Sequence, residues 1–237
     1  MSHVDHRVPP AEETRLGSFL ERVRKALSHD LRSPLGTISN YAAILEFQGD
    51  AKPDEIRSFA HRIRSSSVRA ANQLGHAADA LALVIREPRL ESTDVGALLR
   101  KVLEEHMLLA RFPARTSAHH APVVLDAALV TFAWRAFLAL MREGSAGTML
   151  DVDLDGDGDA LELFVGARDA QRGFTLDVAS FVDLTPEASP DSCFALALAE
   201  DLVALRGGKL SLSGNARGSA GLALELSHDS KARNGGC

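Results

Sequence analysis

The stretch Ala26-Leu27-Ser28-His29-Asp30-Leu31-Arg32-Ser33-Pro34-Leu35 sets a histidine, an acid and a proline inside a run with helical spacing. Apolar residues recur at Leu16, Phe19, Leu20, Val23, Leu27, Leu31, Leu35, Ile38, Ala42 and Leu45. Steps of three and four predict one long amphipathic helix. Pro34 removes a helical N–H and leaves the carbonyl of Asp30 without its partner, which predicts a bend just past His29. Gly36 loosens the same turn. An interior proline costs a helix about 3 kcal/mol by propensity alone. Defects of that kind gather at working sites, although some kinks only serve packing. With the apolar stripe turned inward, the opposite stripe runs through Arg22, Lys25, His29, Ser33 and Gly36. His29 is therefore expected on the exposed side, beside Asp30.

Outward from this stretch, "QGDAKPDE" (48–55) supplies turn chemistry, with Pro53 at a first helical position. A second helix follows through Ile56, Phe59, Ile63, Ala70, Leu74, Ala77, Leu81 and Val84, and Pro88 ends it. A hairpin this narrow cannot close a core alone, whereas two copies would make a four-helix bundle. A homodimer is the economical expectation.

Composition narrows the function classes. The 237 residues are 46% hydrophobic and 24% charged with net charge −6, ordinary for a globular chain of one large or two small domains. An acidic balance without a basic block argues against nucleic acid or anionic lipid as partner. No apolar run approaches the roughly 18 residues of a membrane span, and "MSHVDHRVPPAEE" has no signal-peptide core. The two cysteines, Cys193 and Cys237, make neither a disulfide framework nor a metal spacing, so cytoplasm is the default expectation. Cys193 itself reads as a small helix-packing residue.

Beyond residue 88 the pattern changes. "TDVGALLRKVLEEHMLLARF" is a helix capped by Thr93 or Asp94, and "DAALVTFAWRAFLALMRE" (126–143) is a strongly apolar one. Strands are expected at 148–154 and 160–167, then a helix "SCFALALAEDLVALRGG", then strands "KLSLS" and "GLALELS". Helices mixed with antiparallel hairpins give an α+β class. The expected organisation is a flexible 1–12, a helical hairpin 13–88, an α/β-sandwich domain 89–228 and a flexible tail 229–237. One segment competes for a different role. "DVDLDGDGDALE" (151–162) fits the Asp-x-Asp-x-Asp-Gly-x5-Glu calcium loop, ending at Glu162. Its flanks alternate like strands, so an acidic hairpin turn is the expectation and calcium binding the minority one.

"SHDLRSPL" resembles the H-box of sensor histidine kinases, and the order of parts, helical hairpin then α+β domain, resembles theirs across 13–228. The resemblance implies a dimerisation and histidine-phosphotransfer bundle followed by a catalytic ATP-binding domain. It makes His29 the phospho-acceptor and Asp30 the acid that assists proton transfer. Ser33 stands where the family often has Thr or Asn to orient water for phosphatase action. An exposed neutral imidazole can attack phosphorus while a neighbouring carboxylate takes or orients the ring proton.

The second half departs from that family where ATP would bind. Ala136 and Leu140 stand at the positions of the metal-anchoring asparagines, and no Asn occurs between Asn72 and Asn215. In "DAQRGF", Asp169 matches the adenine-binding Asp and Gly173 the second glycine of the turn, but Gln171 replaces the first. Asp169 alone reads equally well as an ordinary strand-end acid. Asp191, Cys193 and Ala195 occupy lid positions that call for glycine, where side chains keep backbone N–H groups from phosphate. Leu196, Leu202 and Gly207-Gly208 persist, so the fold is expected to be kept. The expected function is a pseudo-kinase-type histidine phosphotransfer protein of two-component or phosphorelay signalling, passing phosphoryl groups between His29 and response-regulator receiver aspartates. No metal or ATP of its own is expected; Mg²⁺ would come from the receiver. The alternatives are an active histidine kinase with a divergent nucleotide site, or a non-catalytic receiver-binding scaffold.

Overall fold

The computed structural model describes residues 10–47, 52–105, 114–116, 122–144, 150–156, 160–167, 174–176, 190–214 and 220–227. Contacts divide the chain into two units, Met1–Leu81 and Ala82–Cys237.

The first unit is helical. Where one long helix was expected, α1 (Pro10–Lys25) passes into a π-helical turn (Ala26–Asp30), and α2 (Arg32–Phe47) begins after Leu31. The irregularity therefore spans both sides of His29, from Ala26 to Leu31, rather than lying just past it alone. The reason is the proline. With α2 starting at Arg32, Pro34 falls in a first turn, where an N–H has no intrahelical acceptor and its loss costs little. The α pattern resumes at once, the Leu35 N–H donating to the Leu31 carbonyl at 3.1 Å. The wide turn also changes the phase of the buried stripe. Phe19, Val23, Leu31 and Pro34 are buried, while Leu20, Leu27, Leu35 and Ala42 lie exposed. Tyr41, half-buried, stacks on Phe59 with ring centroids 5.4 Å apart, and the Arg62 guanidinium sits over the Tyr41 ring.

Helix α3 (Pro53–Ile85) starts at Pro53 as expected, and the Lys52 N–H donates to Glu55 at 3.1 Å, satisfying a free donor at the helix start. Its buried residues, Ala70, Gln73, Ala77 and Ala80, recur at threes and fours. They form one narrow seam of mostly small side chains.

The second unit is α+β. A two-stranded sheet pairs β1 (Leu90–Thr93) antiparallel with β3 (Val123–Asp126). Strands β2 (Ala114–Thr116), β4 (Leu150–Gly156), β5 (Ala160–Ala167), β6 (Phe174–Leu176), β7 (Lys209–Gly214) and β8 (Ala220–Ser227) make a six-stranded sheet. Its order is β2-β4-β5-β8-β7-β6, antiparallel except for β2 beside β4. The register aligns Val165 with Leu222 and Leu222 with Leu212, and sets Leu224 beside Leu210. All five are buried. Helix α5 (Ala127–Gly144) packs on β8 and on α6 (Pro190–Leu205), and α6 packs on β7. Between them they bury Trp134, Phe137, Leu138, Leu196 and Leu198. Helix α4 (Val95–Glu105) adds Leu99, Val102 and Leu103 against α5.

Local chemistry sets the ends of these helices. The Asp94 carboxylate, not Thr93, caps α4 by accepting the Ala97 N–H at 2.9 Å. Helix α6 ends in a left-handed Gly207 with φ of 75°. There the Gly208 and Gly207 N–H groups return to the carbonyls of Val203 and Ala204. A side chain at Gly208 would collide with the Glu225 carbonyl oxygen of β8, so the glycine pair both stops the helix and lets β7 begin.

Candidate active site

His29 sits in the π turn with 76% of its side chain exposed, and Asp30 beside it is 46% exposed. Imidazole Nδ1 and carboxylate Oδ1 are 3.1 Å apart. With the proton on Nδ1, the ring donates to Asp30 and keeps the Nε2 lone pair clear for an incoming electrophile. π turns inserted in α-helices recur at functional sites, and this one holds the histidine of the opening stretch. Ser33 is exposed one turn further on, where its carbonyl accepts the Thr37 hydroxyl at 3.0 Å. The structure thus brings His29 and Asp30 into contact, with Ser33 on the neighbouring turn.

On the N-terminal side of the histidine, Glu21 and Arg24 form a two-pronged pair, at 2.7 and 2.5 Å. Those hydrogen bonds hold the Glu21 carboxyl below its ordinary value and raise the Arg24 guanidinium above its own. Both groups are exposed, so the pair organises the surface more than it stabilises the fold.

Asp169, Gln171 and Gly173, the expected remnants of a nucleotide site, lie outside the described residues. The other nucleotide positions are described. Ala136 and Leu140 are buried in α5, and neither offers an oxygen to a metal. Asp191, Cys193 and Ala195 lie in α6 rather than in a glycine loop. Ala195 is buried beyond the first four residues of that helix, so its N–H belongs to the helical ladder. Cys193 is half-buried, in keeping with a packing role.

The calcium-loop pattern resolves into the strand pair β4–β5. Asp155 faces Glu162 across the ladder, while Asp151 faces Gly166. Asp151 and Glu162 are thus four ladder positions apart, about 13 Å at strand rise. A single Ca²⁺ with ligands at about 2.4 Å cannot join them. Residues 157–159 lie outside the described residues. Among the described residues no cluster of His, Cys, Asp and Glu could hold a metal.

Sequence reasoning missed two arginines and a cap. Arg86 and Asp126 pair at 2.5 Å, and the same Asp126 oxygen accepts the Ala128 and Leu129 N–H groups at the start of α5. Arg206 donates to the carbonyls of Leu83 and Arg86, both at 2.8 Å. Asp126 directly before an apolar helix was the one signal available for the cap.

No family model matches the sequence, and no curated protein matches it. Among solved structures, the chain is similar to the histidine kinase AdeS of Acinetobacter baumannii, at 15% identity and a TM-score of 0.56. That likeness covers 85% of this chain and 98% of AdeS. The chain has a histidine-kinase-like fold. The histidine kinase ThkA, solved in complex with the response regulator protein TrrA, is similar at 14% identity and a TM-score of 0.58. Here 94% of this chain and 68% of the other are covered. At such identities the likeness concerns the fold alone. Within a histidine-kinase-like fold, His29 and Asp30 occupy the helical half, and the buried positions of α5 and α6 lie in the α+β half. Among the described residues no helix is long and apolar enough to cross a membrane.

Proposed function

We propose that the chain is a histidine phosphotransfer protein of two-component or phosphorelay signalling. The observation that carries the reading is the exposed His29 imidazole, its Nδ1 3.1 Å from Asp30, in a π turn of the helical hairpin. In the transfer, His29 Nε2 attacks the phosphorus of a receiver aspartyl phosphate. The N–P bond forms as the P–O bond breaks, and its electron pair returns to the receiver carboxylate. Asp30 steadies the ring proton on Nδ1 while positive charge builds on the imidazole. The reverse step returns phosphate to a receiver. Mg²⁺ would come from the receiver, and the exposed Ser33 would orient water if phosphohistidine or aspartyl phosphate is hydrolysed.

Residues 13–88 act as the dimerisation and phosphotransfer hairpin, and 89–228 as a degenerate ATP-binding-like domain that helps dock the receiver. ThkA, solved with a response regulator protein, supports this class of partner. A phosphorelay role places the protein in the cytoplasm. Ala136, Leu140, Cys193 and Ala195 support a kinase half without phosphate chemistry of its own, any residual contact with nucleotide falling to Asp169 and Gly173.

The test is incubation with a panel of phosphorylated receivers. Label reaches His29 in the wild type, and none is acquired from ATP and Mg²⁺ alone. Autophosphorylation from ATP makes the protein an active kinase instead. A receiver that binds but never labels His29 makes it a scaffold.

A further inference from the structure

We propose that Lys25 is a phosphoryl-binding residue of this site, supplying the cation that meets an anionic phosphoryl donor at His29; the inference rests on the phosphotransfer reading above. Lys25 ends α1 four residues before His29 and is exposed. Helix residues four apart share a face, and each Cβ leans toward the helix N-terminus. Across the π turn four residues fall just short of one full turn, so Lys25 and His29 lie on about the same side of the helix. Asp30 occupies the Nδ1 side of that ring, so a dianion approaching Nε2 meets an adjacent negative charge. A cation on the same face offsets it.

The neighbouring charges leave Lys25 available for that task. Glu21, four residues before Lys25, is taken by both nitrogens of the Arg24 fork. Lys25 acts on Glu21 through its charge alone, the weakest of the causes that shift it. Among the described residues Lys25 forms no close ion pair. A flexible ammonium with three donors is suited to a mobile phosphoryl oxygen.

Phosphoramidate, a small-molecule phosphoryl donor, tests this without knowledge of the receiver. His29 Nε2 attacks phosphorus and the P–N bond breaks. Ammonia leaves with that electron pair and takes up the imidazolium proton as ammonium. Labelling rates are compared for the wild type, Lys25→Ala, Lys25→Glu and Lys25→Arg, at low ionic strength and in 1 M salt. Lys25→Ala slows labelling about three- to fivefold at low salt, the scale of an exposed charge pair. Lys25→Glu slows it more, Lys25→Arg restores it, and salt collapses the differences. Circular dichroism stays unchanged in all three variants. Wild-type rates in Lys25→Ala and Lys25→Glu at low salt overturn the assignment while leaving the phosphotransfer reading intact. A wild type that takes no label on His29 from phosphoramidate or phosphorylated receivers removes that reading, and Lys25 with it.

Discussion

At the scale of single residues, the site depends on an imidazole with one nitrogen occupied and the other open. In the proposed role Asp30, 3.1 Å from Nδ1, would hold the ring proton there, and the exposure of His29 would leave Nε2 open to a partner. The same exposure separates function from stability. His29→Ala removes a side chain that is 76% exposed, so stability changes within about 0.5 kcal/mol, as for other surface substitutions. Phosphoryl acceptance is nevertheless lost completely. Asp30→Asn retains the shape but weakens the pull on the Nδ1 proton, and slows transfer by about a hundredfold, the lower range for general acid–base assistance. Single-turnover labelling beside a thermal melt checks both variants. Label that persists in His29→Ala places the acceptor elsewhere.

At the scale of elements, the helix ends of the second unit carry a measurable load. Asp126 is a cap and an ion-pair partner at once, and it is buried. Asp126→Ala removes a cap worth about 1 kcal/mol and strands a half-buried guanidinium, for a combined cost of about 2–3 kcal/mol. The expected fall in Tm is roughly 5–10 °C. Asp126→Asn keeps the cap and recovers part of the loss, and equal melting of both variants with the wild type rules the network out as a support. The β4–β5 pair gives a second expectation at this scale. A calcium site filled at a hundredfold excess over Kd would add about 2.7 kcal/mol, so added Ca²⁺ leaves the melt unmoved. A clear shift abolished by Asp151→Ala would restore the calcium loop. These elements also divide by how they could be read from sequence. Pro53, Asp94 and Gly207-Gly208 were legible because each acts on backbone within a few residues. Arg86 with Asp126, and Arg206 with Leu83, were not, because 40 and 123 residues separate the partners. The short strands β1, β2, β3 and β6 were missed for the same reason, since their pairing is what makes them strands. The π turn was half legible. Pro34 announced an irregularity, but only the placing of α2 around it decided which turn would widen. The site divides likewise: His29 and Asp30 are neighbours in sequence, whereas a nucleotide site needs residues from distant segments.

At the scale of the molecule, the two units differ in how completely they cover their apolar residues. In the second, α5 and α6 close over the sheet and bury Val165, Leu222 and Leu224 entirely. In the first, Leu20, Leu27, Leu35, Ile44, Phe47, Ile56, Val68 and Leu74 remain exposed along the hairpin. Fully burying one such side chain is worth about 1.5–3 kcal/mol, so a shared surface built from several outweighs the cost of association. Two hairpins related by a two-fold axis present identical stripes to each other, which is the expected homodimer. Sedimentation at micromolar concentration then returns twice the 25.4 kDa of one chain. Replacing Leu20 and Leu74 with arginine puts charge into that surface at sites exposed within one chain, so each hairpin keeps its own seam while the dimer dissociates. A wild type that sediments as a stable, folded monomer at micromolar concentration excludes the homodimer, and the exposed leucines then belong to a surface for a different protein.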